Sequence, residues 1–415
     1  MPTLTRCLRA PALAALCLAA GGASAHPRIA GRPPCAPDNG GLALPQGFCA
    51  LLVAEGLGSV RHLTIASNGD ILAAERSGDG VVLLRDTDGD GKADFQQRFG
   101  PDGGSGIALE DGYLYLGTDS RVVRWRWHEG QAAPENPPET IIDGLPTGGH
   151  TARSLALGPG GALYVNVGSR TNSCQQSDRG AGSPGEDPCS ELQQRGGIWR
   201  FQADRANQRA TDGTRFATGI RNAVALALQP GTGRLFFLMN GRDQLGDNWG
   251  YSPERNAALP AEEMGVATQG ADFGWPYCYY DGELRRKVLA PDYGGDGKDA
   301  GRCAEKQNPV AVFPAHWAPL AVAFYTGTQF PASYRGGAFI AFHGSWNRAP
   351  LPQEGYRVVF VPFSGSEPAG DYSTFASLAG APTGLRASGV AVGPDGSLYI
   401  AADRNGKIWR IFYTG

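Results

Sequence analysis

Beyond its first 25 residues the chain has no apolar run of bilayer-spanning length, so no later segment reads as a transmembrane helix. Positive charge is not in excess: 37 Lys and Arg stand against 40 Asp and Glu, for a formal charge of −3. That balance removes the electrostatic case for nucleic acid or an anionic membrane surface as partner. No Cys-x-x-Cys spacing occurs, which excludes a thiolate zinc cluster, and without Cys-x-x-Cys-His there is no covalently attached haem. Long stretches free of glycine and proline are also missing, so long helices are not expected.

What is present is punctuation. The 61 glycines and 30 prolines among 415 residues suit many short strands joined by turns. Residues 1–25 combine Arg6 and Arg9, an apolar run from Ala12 to Ala20, and the small-residue ending Ala23-Ser24-Ala25. This is the pattern of a secretory signal cleaved before His26, predicting a periplasmic or secreted protein with a single domain over 26–415. Cys7 and Cys17 leave with that segment. Six cysteines remain, an even number that suggests disulfides in an exported chain. They fall into three local couples, from which we expect 35 with 49, 174 with 189 and 278 with 303.

A motif recurs six times: an apolar stretch, a glycine-containing turn, an alternating strand, and a third strand ending near a basic residue. The copies run Leu63 to Arg85, Ile107 to Arg126, Leu155 to Arg200, Val224 to Met239, Val322 to Val361, and Val390 to Arg410. Alternation of period two with glycine turns marks antiparallel strands. One such sheet leaves its faces and edges uncovered, and successive sheets packed around an axis cover them. We therefore expect an all-β, six-bladed propeller; a β-sandwich would also give short strands but requires no repeated motif. The longest insertions, Ser169 to Gly197 and Asn240 to Pro314, are expected at one end of the channel, where function collects.

Several stretches carry chemistry. His150 follows Gly148-Gly149 at the entrance to the third copy, and an imidazole there suits proton abstraction, or is merely a loop histidine bound to backbone. Arg221 and Asn222, entering the fourth copy, offer a guanidinium fork and an amide for an anion, or an inter-blade clamp. Asn240-Gly241-Arg242-Asp243, with Asp247, Glu262 and Glu263 further on, supplies turn carbonyls and carboxylates, the hard oxygens calcium prefers; a solvated acidic loop is the plain alternative. Asp86, Asp88, Asp90 and Asp94 have the 1, 3, 5, 9 spacing of a calcium loop, with glycine at position 6 but Gln97 in place of the closing Glu; a hairpin turn competes. Trp346 and Arg348, in the segment His343 to Arg348, and Arg386 before the last copy add an aromatic plane and positive charge, unless Trp346 is blade core.

In this order the residues resemble the soluble quinoprotein glucose and sorbosone dehydrogenases, from about Arg61 to Arg410. The resemblance rests on His150 followed by LALGPGGALYVNVG, on GIRNAVALA from Gly219, on GADFGWP ending at Pro276, and on VAVGPDGSLYIA from Val390. The segment from His343 to Arg348 is more similar to the sorbosone branch. The resemblance implies a propeller binding pyrroloquinoline quinone and calcium, with His150 as general base and Arg221 and Asn222 at the quinone. It also implies main-chain carbonyls near Gly241 and Arg242 on the calcium. The expected activity is oxidation of an aldose, a sorbosone-like aldehyde or a related sugar, with electrons passed to a separate acceptor.

Two departures stand out. Val167-Gly168-Ser169 replaces a turn in which glucose-oxidising relatives carry Asp behind the histidine, and Phe324-Tyr325-Thr326 lacks their quinone-binding Lys. Losing that cation is expected to weaken quinone binding unless Arg348 or Arg386 compensates. The same departures leave room for a propeller that only binds, and a calcium-dependent hydrolase such as a lactonase is a third reading.

Overall fold

Each copy of the repeat folds into one antiparallel sheet, and the first strand of every sheet lies against the first strands of both neighbours, closing a ring of six. This is the arrangement in a computed structural model that describes residues 33–378, 380 and 384–415 besides Met1. The proposed signal segment, with Cys7 and Cys17, lies outside the described residues. In chain order the first strands are Val60–Ile65, Gly104–Glu110, Leu155–Gly158, Ala225–Leu228, Pro319–Phe324 and Ala387–Val392, defining blades 1 to 6.

Burial explains which strands the sequence reveals. Second strands such as Ile71–Glu75, Leu235–Met239, Ala338–Phe342 and Leu398–Ala402 are buried at every position, because neighbouring blades cover both faces. The outermost strand of blade 1, Phe95–Phe99, is largely exposed and its Gln-Gln-Arg centre carries no apolar alternation. Phe48–Ala54 supplies the outer strand of blade 6 by pairing antiparallel with Lys407–Tyr413, so the two ends of the domain lock the ring. The cysteines pair as expected, 35–49, 174–189 and 278–303. No helix among the described residues is long and apolar enough to cross a membrane.

One expectation is corrected. The stretch from Asn240 to Pro314 is not a single insertion, because it contains two strands of blade 4, Glu262–Ala267 and Ala311–Phe313. Glu262 and Glu263 thus belong to a strand, not to an acidic loop. The true insertions are 240–261, with the short helices Leu245–Trp249 and Pro253–Ala258, and 268–310, with a hairpin of Cys278–Asp281 and Arg286–Leu289.

Strand alternation fixes where the loops go. In every blade the link from the preceding blade and the link from second to third strand emerge at the same end of the channel. His150, Arg221 and the segment 314–318 are on links of the first kind; Arg76, Ser169 to Gly196, Asn240 to Asp243 and Trp346 are on links of the second kind. The loop from Asp86 to Asp94 joins third to fourth strand of blade 1 and therefore lies at the opposite end.

Candidate active site

At the first end, a cavity of about 340 Å³ is lined by His150, Arg221, Asn222, Gly241 and Asp243, together with Arg61, Arg76, Arg179, Glu262, His316, Trp346 and Asn347. The volume is that of a small-molecule site. Residues of four blades and the links into them meet there, and the sequence-expected imidazole, guanidinium and glycine turn are brought to one space.

His150 is held from two sides. Its N–H donates to the Ser169 carbonyl at 2.9 Å, and its ring Nδ1 lies 2.9 Å from the same carbonyl and 3.0 Å from Ser169 Oγ. A carbonyl only accepts, so Nδ1 carries the proton and Nε2 keeps a free lone pair. Arg153, fully buried, donates to the His150 carbonyl at 3.4 Å and to that of Pro146, clamping the loop from below. Close approach requires Gly168: a Cβ there would sit 2.6 Å from His150 Cβ and 2.8 Å from Asn222 Oδ1. Burial, reinforced by the Arg221 charge, pushes the imidazole down to about 3, so it is neutral throughout the physiological range.

Arg221 is almost saturated by protein. Nε donates to the Asn172 carbonyl at 3.1 Å, Nη2 to Asn172 Oδ1 at 3.1 Å and to Asp243 Oδ2 at 3.0 Å, and Nη1 to the Asn240 carbonyl at 3.4 Å. Asn222 is set by Asn166, whose Nδ2 donates to its Oδ1 at 3.1 Å. Asp243 also accepts from Arg179 at 3.1 Å and from Asn347 Nδ2 at 2.8 Å. Burial would raise its carboxyl, but Arg221 and Arg179 outweigh burial and hold it below the usual carboxylate range. Glu262, fully buried, accepts from Gly241 N–H at 2.9 Å and Ala318 N–H at 3.0 Å; burial nonetheless pushes it up to about 7.

The fit to a hard cation rests on donor chemistry. Among the described residues no donor reaches the carbonyl oxygens of Gly241 or Arg242; Gly241 lines the cavity, and Asp243 and Glu262 add carboxylates to it. Such an oxygen set suits calcium. The fit to an anionic quinone rests on Arg61, Arg76, Arg179 and Arg221 together. Arg76 is exposed, and no side-chain partner reaches its guanidinium among the described residues.

The other sequence candidates fall elsewhere. Arg348 does not line the cavity: its donors go to the carbonyls of Pro352, at 3.0 Å, and Ala257, at 2.7 Å. Arg386 stands one row back, donating to His343 at 3.2 Å; His343 binds Asp403 at 2.9 Å, and Asp403 binds Arg61 at 2.7 Å. Neither therefore compensates directly for the missing Lys; blade 1 places Arg61 and Arg76 in the cavity wall. Trp346 is 61% exposed at the rim, which corrects the alternative of blade core. The Arg242 side chain is buried against Asp292, and Asp247 is exposed on its short helix. At the opposite end Asp86, Asp88 and Asp90 gather their carboxylates within 4.8 Å, whereas Asp94 turns to Thr87, accepting from its N–H at 2.8 Å.

Arg61, Arg76, Asn172, Arg179 and His316 were not singled out from the sequence. Two of them, Arg179 and His316, have a left-handed backbone beside the cavity, at φ 58° and 65°.

The chain is 24% identical over 91% of its length to a pyrroloquinoline quinone-dependent pyranose dehydrogenase of Coprinopsis cinerea, covering 53% of that protein. An uncharacterized protein of Borreliella burgdorferi is 32% identical over 48% of each chain. The chain thus spans about half the length of the curated relatives it matches. Among solved structures, the calcium structure of a Trichoderma reesei family AA12 enzyme superposes with a TM-score of 0.74 at 20% identity, covering 90% of this chain and 97% of that one. The holo PQQ domain of the Coprinopsis cinerea pyranose dehydrogenase gives 0.73 at 21%, covering 89% and 97%. Residues 42–414 match the TrAA12-like family, and the chain belongs to it, as a relative of the pyrroloquinoline quinone-dependent sugar dehydrogenases.

Proposed function

We propose that this chain is an exported quinoprotein dehydrogenase that oxidises an aldose, a sorbosone-like aldehyde or a related sugar. The observation that carries the reading is the meeting of a neutral imidazole with a free Nε2, four arginines and the Gly241 turn, whose carbonyl takes no hydrogen bond from the described residues, around one cavity. The names of the pyranose and aldose sugar dehydrogenases with the same fold support it.

Pyrroloquinoline quinone, when bound, supplies the carbonyl that accepts a hydride, and calcium polarises that carbonyl. Arg61 and Arg76 would hold the carboxylates of the quinone, and Asn222 would hydrogen-bond it. The carbonyls of Gly241 and Arg242 would hold calcium. His150 accepts the substrate hydroxyl proton at Nε2 while Ser169 retains the proton on Nδ1. Among the described residues no carboxylate contacts the ring, so the cation formed on His150 is stabilised at longer range by Asp243. Trp346 presents an aromatic plane where a sugar would enter. Electrons leave to a separate acceptor.

Reconstituting protein beginning at His26 with calcium and the quinone, then following dye reduction with a panel of aldoses and aldehydes, tests the reading. Turnover supports it. A change in quinone absorbance without turnover would make the chain a binding module, and lactone hydrolysis without quinone would make it a hydrolase.

A further inference from the structure

Asn172 stands three residues past Ser169 and two before Cys174 of the 174–189 disulfide, and is 1% exposed. Its amide pairs with the main chain of residue 243 on both sides: Asp243 N–H donates to Oδ1 at 2.9 Å, and Nδ2 donates to the Asp243 carbonyl at 3.0 Å. The same Oδ1 accepts from Arg221 Nη2 at 3.1 Å. The Asn172 carbonyl accepts from Arg221 Nε at 3.1 Å and from Trp275 Nε1 at 3.0 Å. One residue therefore binds two nitrogens of the guanidinium and both polar main-chain groups of residue 243.

This has a directional consequence. A trans peptide is planar, with N–H and C=O on opposite sides. Fixing the Asp243 N–H therefore fixes the Arg242 carbonyl, which points away from Asn172 and takes no hydrogen bond from the described residues. The 240–241 peptide, two units back, is held at both ends: Gly241 N–H donates to Glu262, and the Asn240 carbonyl accepts from Arg221. The Gly241 carbonyl, in the 241–242 peptide between these two held units, takes no hydrogen bond from the described residues either. Neighbouring carbonyls without donors, one of them aimed by a held peptide plane, offer what an oxygen-seeking cation requires, and the groups that aim such ligands matter to affinity almost as much as the ligands do.

We propose that Asn172 is the positioning residue that couples the two halves of the cavity: one amide aims the Arg242 carbonyl at a divalent cation and holds the Arg221 guanidinium beside it. The inference rests on reading the cavity as a cation and quinone site.

The test is calcium titration of metal-stripped apoprotein by calorimetry, in an Asp88→Ala background so that the loop at the far end contributes nothing. Asn172→Ala is expected to weaken calcium binding about 10- to 100-fold, and to weaken quinone binding followed by absorbance. Trp275→Phe is the control: it removes one bond to the same loop and leaves the amide intact, so calcium affinity should stay within about twofold. Should Asn172→Ala fail to fold, Asn172→Ser takes its place. The melting temperature in chelator reports any purely structural effect. Unchanged calcium affinity in the Asn172 variants, or an equal loss in Trp275→Phe, overturns the inference. If the parent protein binds neither calcium nor quinone, the reading of the cavity falls and takes the inference with it.

Discussion

The two ends of the channel hold their charges in opposite ways. At the cavity end, His150, Arg221, Asp243 and Glu262 come from separate loops and a strand of blades 3 and 4 and their links, are largely removed from water, and satisfy one another over long sequence distances. At the far end, Asp86, Asp88 and Asp90 lie within five consecutive residues, are exposed, and accept from N–H groups of their own loop, as Asp86 does from Gly89 at 2.7 Å and Gly91 at 2.8 Å. Buried charges must find partners or shift their proton equilibria, whereas exposed carboxylates need neither. The first arrangement depends on the whole ring, the second only on its own turn.

Substitutions should separate the two ends. The largest effect is expected at His150. Replacing it with Gln should lower turnover by about 10²- to 10⁴-fold while quinone affinity, read by absorbance titration, changes little; similar turnover in the variant would remove the histidine from the chemistry. Next, Arg76→Ala should weaken quinone binding about tenfold, the scale of one lost charge-assisted hydrogen bond. Arg386→Ala, one row behind, should weaken it less, and the reverse order would reinstate Arg386 as the direct contact.

How much of this was legible in the sequence follows from the same contrast. Gly149-His150 and Gly219-Ile220-Arg221-Asn222 stand directly before strands whose apolar alternation is easy to read, so their place in the ring follows from the repeat. Asn172 and Arg179 lie inside an insertion and His316 on the short link into blade 5, and which side chains meet there is decided by ring closure and by the disulfides. Arg348 belongs to a conspicuous segment, but its guanidinium turns inward to backbone carbonyls that only the folded loop supplies. Phe95–Phe99 escaped notice because an exposed outer strand has no apolar face to betray it. Phe48–Ala54 is apolar enough to read as a strand, yet nothing local says that its partner lies at the other end of the chain.

Acid should also distinguish buried from exposed groups. His62, buried and accepted by the Leu320 carbonyl at 2.7 Å, is pushed down to about 4 by burial, and His150 to about 3. The unfolded chain takes up those protons near the ordinary histidine value, so this stability is present above about pH 6.5 and is lost as the pH falls through the folded values. The apoprotein should therefore melt at progressively lower temperature between these limits, and His62→Gln should flatten the curve; an unchanged slope in the variant would exclude His62 as a source. The smallest effect is expected at the far end. Asp88→Ala should change the melting temperature in chelator by about 2 °C or less, as for an ordinary exposed substitution.

The most direct test of the account is a crystal structure of protein beginning at His26 grown with calcium and pyrroloquinoline quinone. The account predicts quinone density in the cavity between His150, Arg76 and Arg221, with a cation against the Gly241 and Arg242 carbonyls. Quinone bound elsewhere, or a cavity that stays free of both under saturating conditions, would contradict it.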